Sequence, residues 1–114
     1  MLLLDAGDAL WSDRPFTVQS AHRLPIDVMN SLAYDAAALG ARDLQLGADL
    51  LRQRMAEATF PILSANVVEA ATGQPFARPS AILDLAGHRV AIVGLTDAPA
   101  ATTLAPGFQV SDPL

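Results

Sequence analysis

Residues Met1–Asp8 read MLLLDAGD, an apolar run that passes directly into a loop carrying two carboxylates. Leu2, Leu3 and Leu4 form a short, uninterrupted apolar segment, the pattern of a strand covered on both faces in a parallel sheet. Asp5 and Asp8 then fall at its carboxyl end, where open α/β sheets bind ligands. Gly7 supplies the flexibility such a loop needs, so Asp8 is the first candidate for a metal or substrate contact. Turn capping is the structural alternative for both aspartates.

Working outward, Ala9–Ser20 (ALWSDRPFTVQS) has no consistent period and reads as a polar loop. Its aromatics, Trp11 and Phe16, suit either a stack on a planar ligand or a plug in the core. Ile26, Met29 and Ala33, with Val28 and Leu32, recur at helical spacing, and Asp27, Asn30 and Ser31 fall opposite them. Pro25 fits the first turn, so the spacing predicts a helix over 24–33. Ala36–Leu39 is a second short strand ended by Gly40, and a parallel crossover delivers Ala41, Arg42 and Asp43 to the same sheet edge as Asp8. Gly47–Ala58 reads as an amphipathic helix with Leu50, Leu51, Met55 and Ala58 inward and Asp49, Arg52, Gln53 and Glu57 toward water.

Ile62–Ser64 is a third strand, and Asn66 again lies at a strand end. A turn-rich excursion over 69–79 leads to two apolar runs, 81–85 and 90–95. Their separation by Ala86-Gly87-His88-Arg89 marks a β-hairpin. His88 in that turn and His22 before the first helix lack partners at metal-ligand spacing and read as solvated. Residues 96–106 form a Thr/Ala/Pro loop, Phe108–Val110 a last strand, and Ser111-Asp112-Pro113 a helix start.

Composition narrows the function classes. The chain has 114 residues, one domain's worth, with 52% hydrophobic residues and a formal net charge of −5. No apolar run approaches the ~18 residues of a membrane span. The acidic balance argues against nucleic acid, which needs clustered cations. All seven cations are arginine, and the absence of cysteine excludes disulfides and thiolate metal sites. An aspartate at position 5 interrupts any signal-peptide pattern, so the chain as given is expected in the cytoplasm, or outside it if the native product is longer.

Taken in order, LLLDAGD, VMNSLAYDAAALG, LQLG, FPILSANVV, ATGQPF and HRVAIVGLT resemble the amino-terminal metallophosphoesterase domain of the bacterial 5'-nucleotidase family, within the calcineurin-like phosphoesterases. The resemblance runs from Leu2 to Pro113. It implies an α/β fold: a partial metallophosphoesterase-type mixed sheet with helices packed on it and a C-terminal β-hairpin, all in one domain over 1–114. In that family two divalent metals at the strand ends activate water against a phosphate ester, one cation stabilising each of the attacking and leaving oxygens.

The resemblance matches Asp8 to the aspartate that bridges the two metals. The family's Gly-Asn-His-Glu motif, whose asparagine binds metal and whose histidine stabilises the reacting group, falls on Gly40-Ala41-Arg42-Asp43. Ala41 has no donor atom, and a guanidinium exchanges no proton near neutral pH. The family's Asp-x-His pair and later histidines are expected to lie beyond the two ends of this chain. Asp8 is then the one vestigial metal residue, with Asp5 and Asn66 as other strand-end candidates.

The resulting expectation is a catalytically inactive binding or structural module with no resident cofactor, manganese or zinc entering only if it is active. Arg42 is its candidate anion-binding residue, with a surface ion pair as the alternative role. A dinuclear phosphoester hydrolase completed by another chain or a longer product, and a folded relic without function, are the other readings. An unpaired apolar sheet edge at Leu2–Leu4 predicts a homo-oligomer, a dimer, with no nucleic acid and no membrane as partners.

Overall fold

The computed structural model describes residues 1–97 and 106–112. Three short strands, β1 (Leu4–Asp5), β2 (Ala36–Ala38) and β3 (Ile62–Leu63), form a parallel sheet in the order β1-β2-β3. Leu4 pairs with Ala36 and Asp5 with Ala37, while Ala37 and Ala38 pair with Ile62 and Leu63. The small side chains of β2 let the flanking layers approach closely, and Ala36 and Ala37 are both buried.

One face of this sheet carries the helices. α1 (Pro15–Gln19) and α2 (Leu24–Ser31) connect β1 to β2, and α3 (Ala48–Glu57) connects β2 to β3. Ile26 and Met29 from α2 and Leu51 from α3 meet Leu10, Leu39, Leu44, Phe60 and Ile62 in the main core. Pro25 sits in the first turn of α2, as the spacing predicts, because its missing N–H has no intrahelical partner there.

β4 (Val67–Glu69) pairs antiparallel with β7 (Phe108–Val110). Phe76 and Phe108 meet edge to face at 4.9 Å, closing the core on that side. β5 (Ser80–Leu85) and β6 (His88–Val93) form the expected hairpin. A smaller cluster of Ala36, Leu63 and Ala81, with Ile92 against it, joins this hairpin to the second face of the parallel sheet. The α/β class and the hairpin thus stand, with the strands divided among one parallel and two antiparallel units.

Several local expectations are corrected. β1 lies at the sheet edge, as expected, but is not covered on both faces: Leu4 is 45% exposed. The loop over 9–20 contains α1, which Pro15 starts and Ser20 closes through its N–H to the Phe16 carbonyl. Within α2 the apolar stripe is wider than the buried one, and Val28 and Leu32 stay exposed. Asn30, assigned to the polar side, instead binds the end of α3. Its Nδ2 donates to the Glu57 carbonyl and its Oδ1 accepts from Thr59 N–H.

Arg54 is 6% exposed, donating from Nε to the Ala21 carbonyl and pairing with Glu57. Glu57 is therefore half-buried, not a water-facing residue. The hairpin turn is only Ala86-Gly87, with φ of 48° and 82°, so His88 begins β6 and pairs opposite Leu85. Two consecutive left-handed residues match the right-handed twist of the strands. His22 is half-buried with Nδ1 3.1 Å from the Leu10 carbonyl. No helix among the described residues is long and apolar enough to cross a membrane. The helix start expected at Ser111-Asp112-Pro113 continues into residues outside those described, as does most of the loop over 96–106.

Candidate functional site

The ends of β1 and β2 bring two loops together, as the crossover argument expects. Gly7 and Gly40 face one another so closely that a Cβ on Gly7 would lie 3.0 Å from the Gly40 Cα. This contact lets the Asp8 and Asp43 loops share hydrogen bonds. Asp8 itself takes a left-handed φ of 61°, a conformation that aspartate tolerates better than most residues.

Asp43 is the centre of the arrangement, and it is 1% exposed. Its Oδ2 accepts from Gly40 N–H at 3.0 Å and from Asp8 N–H at 3.1 Å. Its Oδ1 accepts from Leu10 N–H at 2.9 Å and from Trp11 N–H at 3.1 Å. Burial pushes the Asp43 carboxyl above the usual carboxylate range, an effect partly opposed by the Gly40, Leu10 and Trp11 amides and reinforced by the nearby Asp8 charge. The sequence places Asp43 in the motif but carries no signal that one carboxylate would collect four backbone amides, because Leu10 and Trp11 reach it only through the tertiary fold.

Asp8 returns the interaction: its Oδ1 accepts from Arg42 N–H at 2.8 Å. The Arg42 guanidinium lies over the Trp11 ring, 5.5 Å from its centroid, and makes none of the ion pairs found among the described residues. Stacking on an indole leaves the edge N–H groups of a guanidinium directed outward. Trp11 is therefore half-buried beneath an arginine, whereas Phe16 is 75% exposed and plugs no core. Ala41 carries only a methyl group as its side chain.

Asp5 and Asn66 do not join this cluster. Asp5 lies within β1, and its Oδ1 accepts from Gly7 N–H at 2.8 Å, closing the turn ahead of Asp8. Asn66, beyond the carboxyl end of β3, is 7% exposed. Its Nδ2 donates to the carbonyls of Thr96 and Ser111, and its Oδ1 accepts from Thr96 N–H. Ser64 and Thr96 complete the network, and the Thr96 hydroxyl donates to the Leu39 carbonyl at 2.6 Å. Asn66 is thus a structural tie whose amide has no valence left for a ligand.

The side chains among the described residues fall short of the donor set of a dinuclear metal centre. Among the described residues no three His, Cys, Asp or Glu side chains converge as a metal-binding group. Divalent ions need about four to eight ligands. Asp8 offers one carboxylate, already engaged by the Arg42 amide, beside a methyl and a guanidinium.

No family model matches the chain. Among curated proteins it is 36% identical to Protein UshA of Yersinia enterocolitica over 96 residues, 84% of this chain and 17% of that protein. It is 32% identical to a 5'-nucleotidase of Diplobatis ommata, over 94% of this chain and 19% of that protein. The chain therefore spans about a fifth of the length of these relatives. A solved 5'-nucleotidase precursor of Thermus thermophilus superposes with a TM-score of 0.78 at 31% identity, covering 98% of this chain and 23% of that one. The calcineurin-like phosphoesterase YfkN of Bacillus subtilis superposes with a TM-score of 0.71 at 27% identity, covering 98% of this chain and 40% of that one.

Proposed function

The chain belongs to the 5'-nucleotidase family of calcineurin-like phosphoesterases, and from that premise we propose that it is a non-catalytic member of the fold. Its strand-end loops act as a binding module in which Arg42, set over Trp11, receives an anion. A guanidinium makes bidentate contacts with phosphate or carboxylate, so an anion class follows from the residue type.

One observation carries the reading: the loop matched to the family's metal-binding motif offers a methyl at Ala41 and a guanidinium at Arg42, and Asp8 accepts the backbone N–H of Arg42. The purified chain, equilibrated with manganese or zinc and assayed with AMP and p-nitrophenyl phosphate, is expected to retain no stoichiometric metal and to release no phosphate. Two bound metals with turnover would replace this reading with that of a hydrolase.

We also propose that the chain self-associates as a dimer through the open side of its sheet. β1 is an edge strand, and beside it an open, mostly apolar depression of about 340 Å³ is lined by Leu4, Ala36, Leu63, Ile92 and Val93. Leu4 and Val93 are both exposed there. An apolar edge facing water invites pairing with another chain. Sedimentation velocity at micromolar concentration is expected to give the dimer mass, and a stable monomer would contradict the proposal.

A further inference from the structure

The two carboxylate-bearing loops meet at the strand ends through hydrogen bonds from each loop's backbone to the carboxylate of the other. We infer that Asp8 and Asp43 form a metal-independent clasp, in which each carboxylate binds the backbone of the opposite loop. Asp43, from the β2 loop, accepts N–H groups of Asp8, Leu10 and Trp11 in the β1 loop, as well as that of Gly40 in its own. Asp8, from the β1 loop, accepts the Arg42 N–H of the β2 loop. Five backbone donors are thus satisfied by two side chains across a glycine–glycine contact.

The chemistry favours this role over ligation. Hydrogen bonds to an ionised acceptor are shorter and stronger than neutral ones, and several of them offset the cost of burying a carboxylate. A buried backbone N–H without a partner is expensive, and the Leu10 and Asp43 positions are both almost fully enclosed. Removing the Asp43 oxygens would leave four amides without acceptors in a space of limited water access. The clasp also sets the platform on which Arg42 rests, because Trp11 N–H is one of the bonds.

The clasp deepens the non-catalytic reading and rests on it only for the lack of a metal response, not for the mutational pattern. Thermal unfolding of the full chain is the test, for wild type, Asp8→Asn, Asp8→Gly and Asp43→Asn, each with EDTA and with millimolar manganese. Asp8→Asn keeps an acceptor oxygen and a side chain tolerated at φ 61°, and its Tm is expected within about 2 °C of wild type. Asp8→Gly keeps the backbone without strain but removes the acceptor, and should lower Tm by about 5 °C.

Asp43→Asn turns one acceptor into a donor facing two N–H groups, with an expected loss of about 10 °C or more. Neither EDTA nor manganese should move wild type by more than about 1 °C, where binding would raise Tm. Equal Tm for Asp8→Gly and wild type would overturn the clasp. So would a manganese-induced rise that Asp8→Asn abolishes, since that dependence on charge belongs to a ligand. Should Asp43→Asn fail to fold, hydrogen exchange in wild type decides: the Leu10, Trp11 and Arg42 amides are expected to exchange as slowly as those of β2, and fast exchange there would sink the inference.

Discussion

Gly40→Ala is expected to destabilise the chain by roughly 3–5 kcal/mol, enough to unfold a domain of ordinary stability. A Cβ at that position would collide with the backbone nitrogen and Oδ1 of Asp8 and lie 2.8 Å from its Cα. These are backbone and short side-chain atoms, so no flexible group can swing aside. Both loops are also held in place by Asp43, which accepts from Gly40 N–H and Asp8 N–H through the same oxygen. Urea unfolding with a shifted midpoint or an already unfolded baseline would report the loss. Gly73→Ala is the matched comparison: its Cβ meets nothing within 4 Å, and the cost should be limited to the left-handed backbone, about 1 kcal/mol.

Asn66→Ala is expected to cost roughly 3 kcal/mol, because it strands several buried partners at once. Thr96 N–H loses its acceptor, the Thr96 and Ser111 carbonyls lose their donor, and the Ser64 hydroxyl loses one of its neighbours. These groups come from the segments after β3, β6 and β7, so the amide ties three chain segments that are distant in sequence. Asn66→Asp should be no better. It keeps the acceptor for Thr96 N–H but presents a carboxylate oxygen to two carbonyls. Denaturant titration of both variants, with equal or greater loss for the aspartate, would support this tie, whereas a near-neutral Asn66→Ala would refute it.

The contrast between Asp43 and Asn66 explains how much of the site was legible beforehand. Both stand at strand ends, and strand-end position is a property that local pattern reveals. Asp8 and the Gly40–Asp43 loop do meet, as parallel pairing of β1 and β2 requires. Asn66 is instead consumed by Thr96 and Ser111, residues 30 and 45 positions away. A sequence shows that an amide is present but not which backbone groups surround it. Arg54 illustrates the same limit, since its buried position on α3 depends on the Ala21 carbonyl and on Glu57. Charge alone predicts exposure for an arginine, and only a complete set of partners reverses that expectation.

Phe16 and Leu4 err in the opposite direction. Each is apolar and close to a strand end or loop that could have covered it, yet each is exposed. Burial requires a covering layer, which a residue cannot supply for itself. The hairpin, by contrast, was readable because Ala86-Gly87 acts locally: two left-handed residues set the turn and the register of β5 and β6 follows.

By itself the sequence determined the α/β alternation, the helices over α2 and α3, the hairpin, and the substitution of Ala41 and Arg42 where a metal-binding motif is matched. These depend on residue type and short spacing. Only the tertiary structure decided that Leu4 lacks a covering layer, that Asp8 bonds the opposite loop, and that Asp43 gathers four amides around a buried carboxylate. Hydrogen-bond partners and covering layers come from distant segments, and their identity is set by how the chain closes on itself.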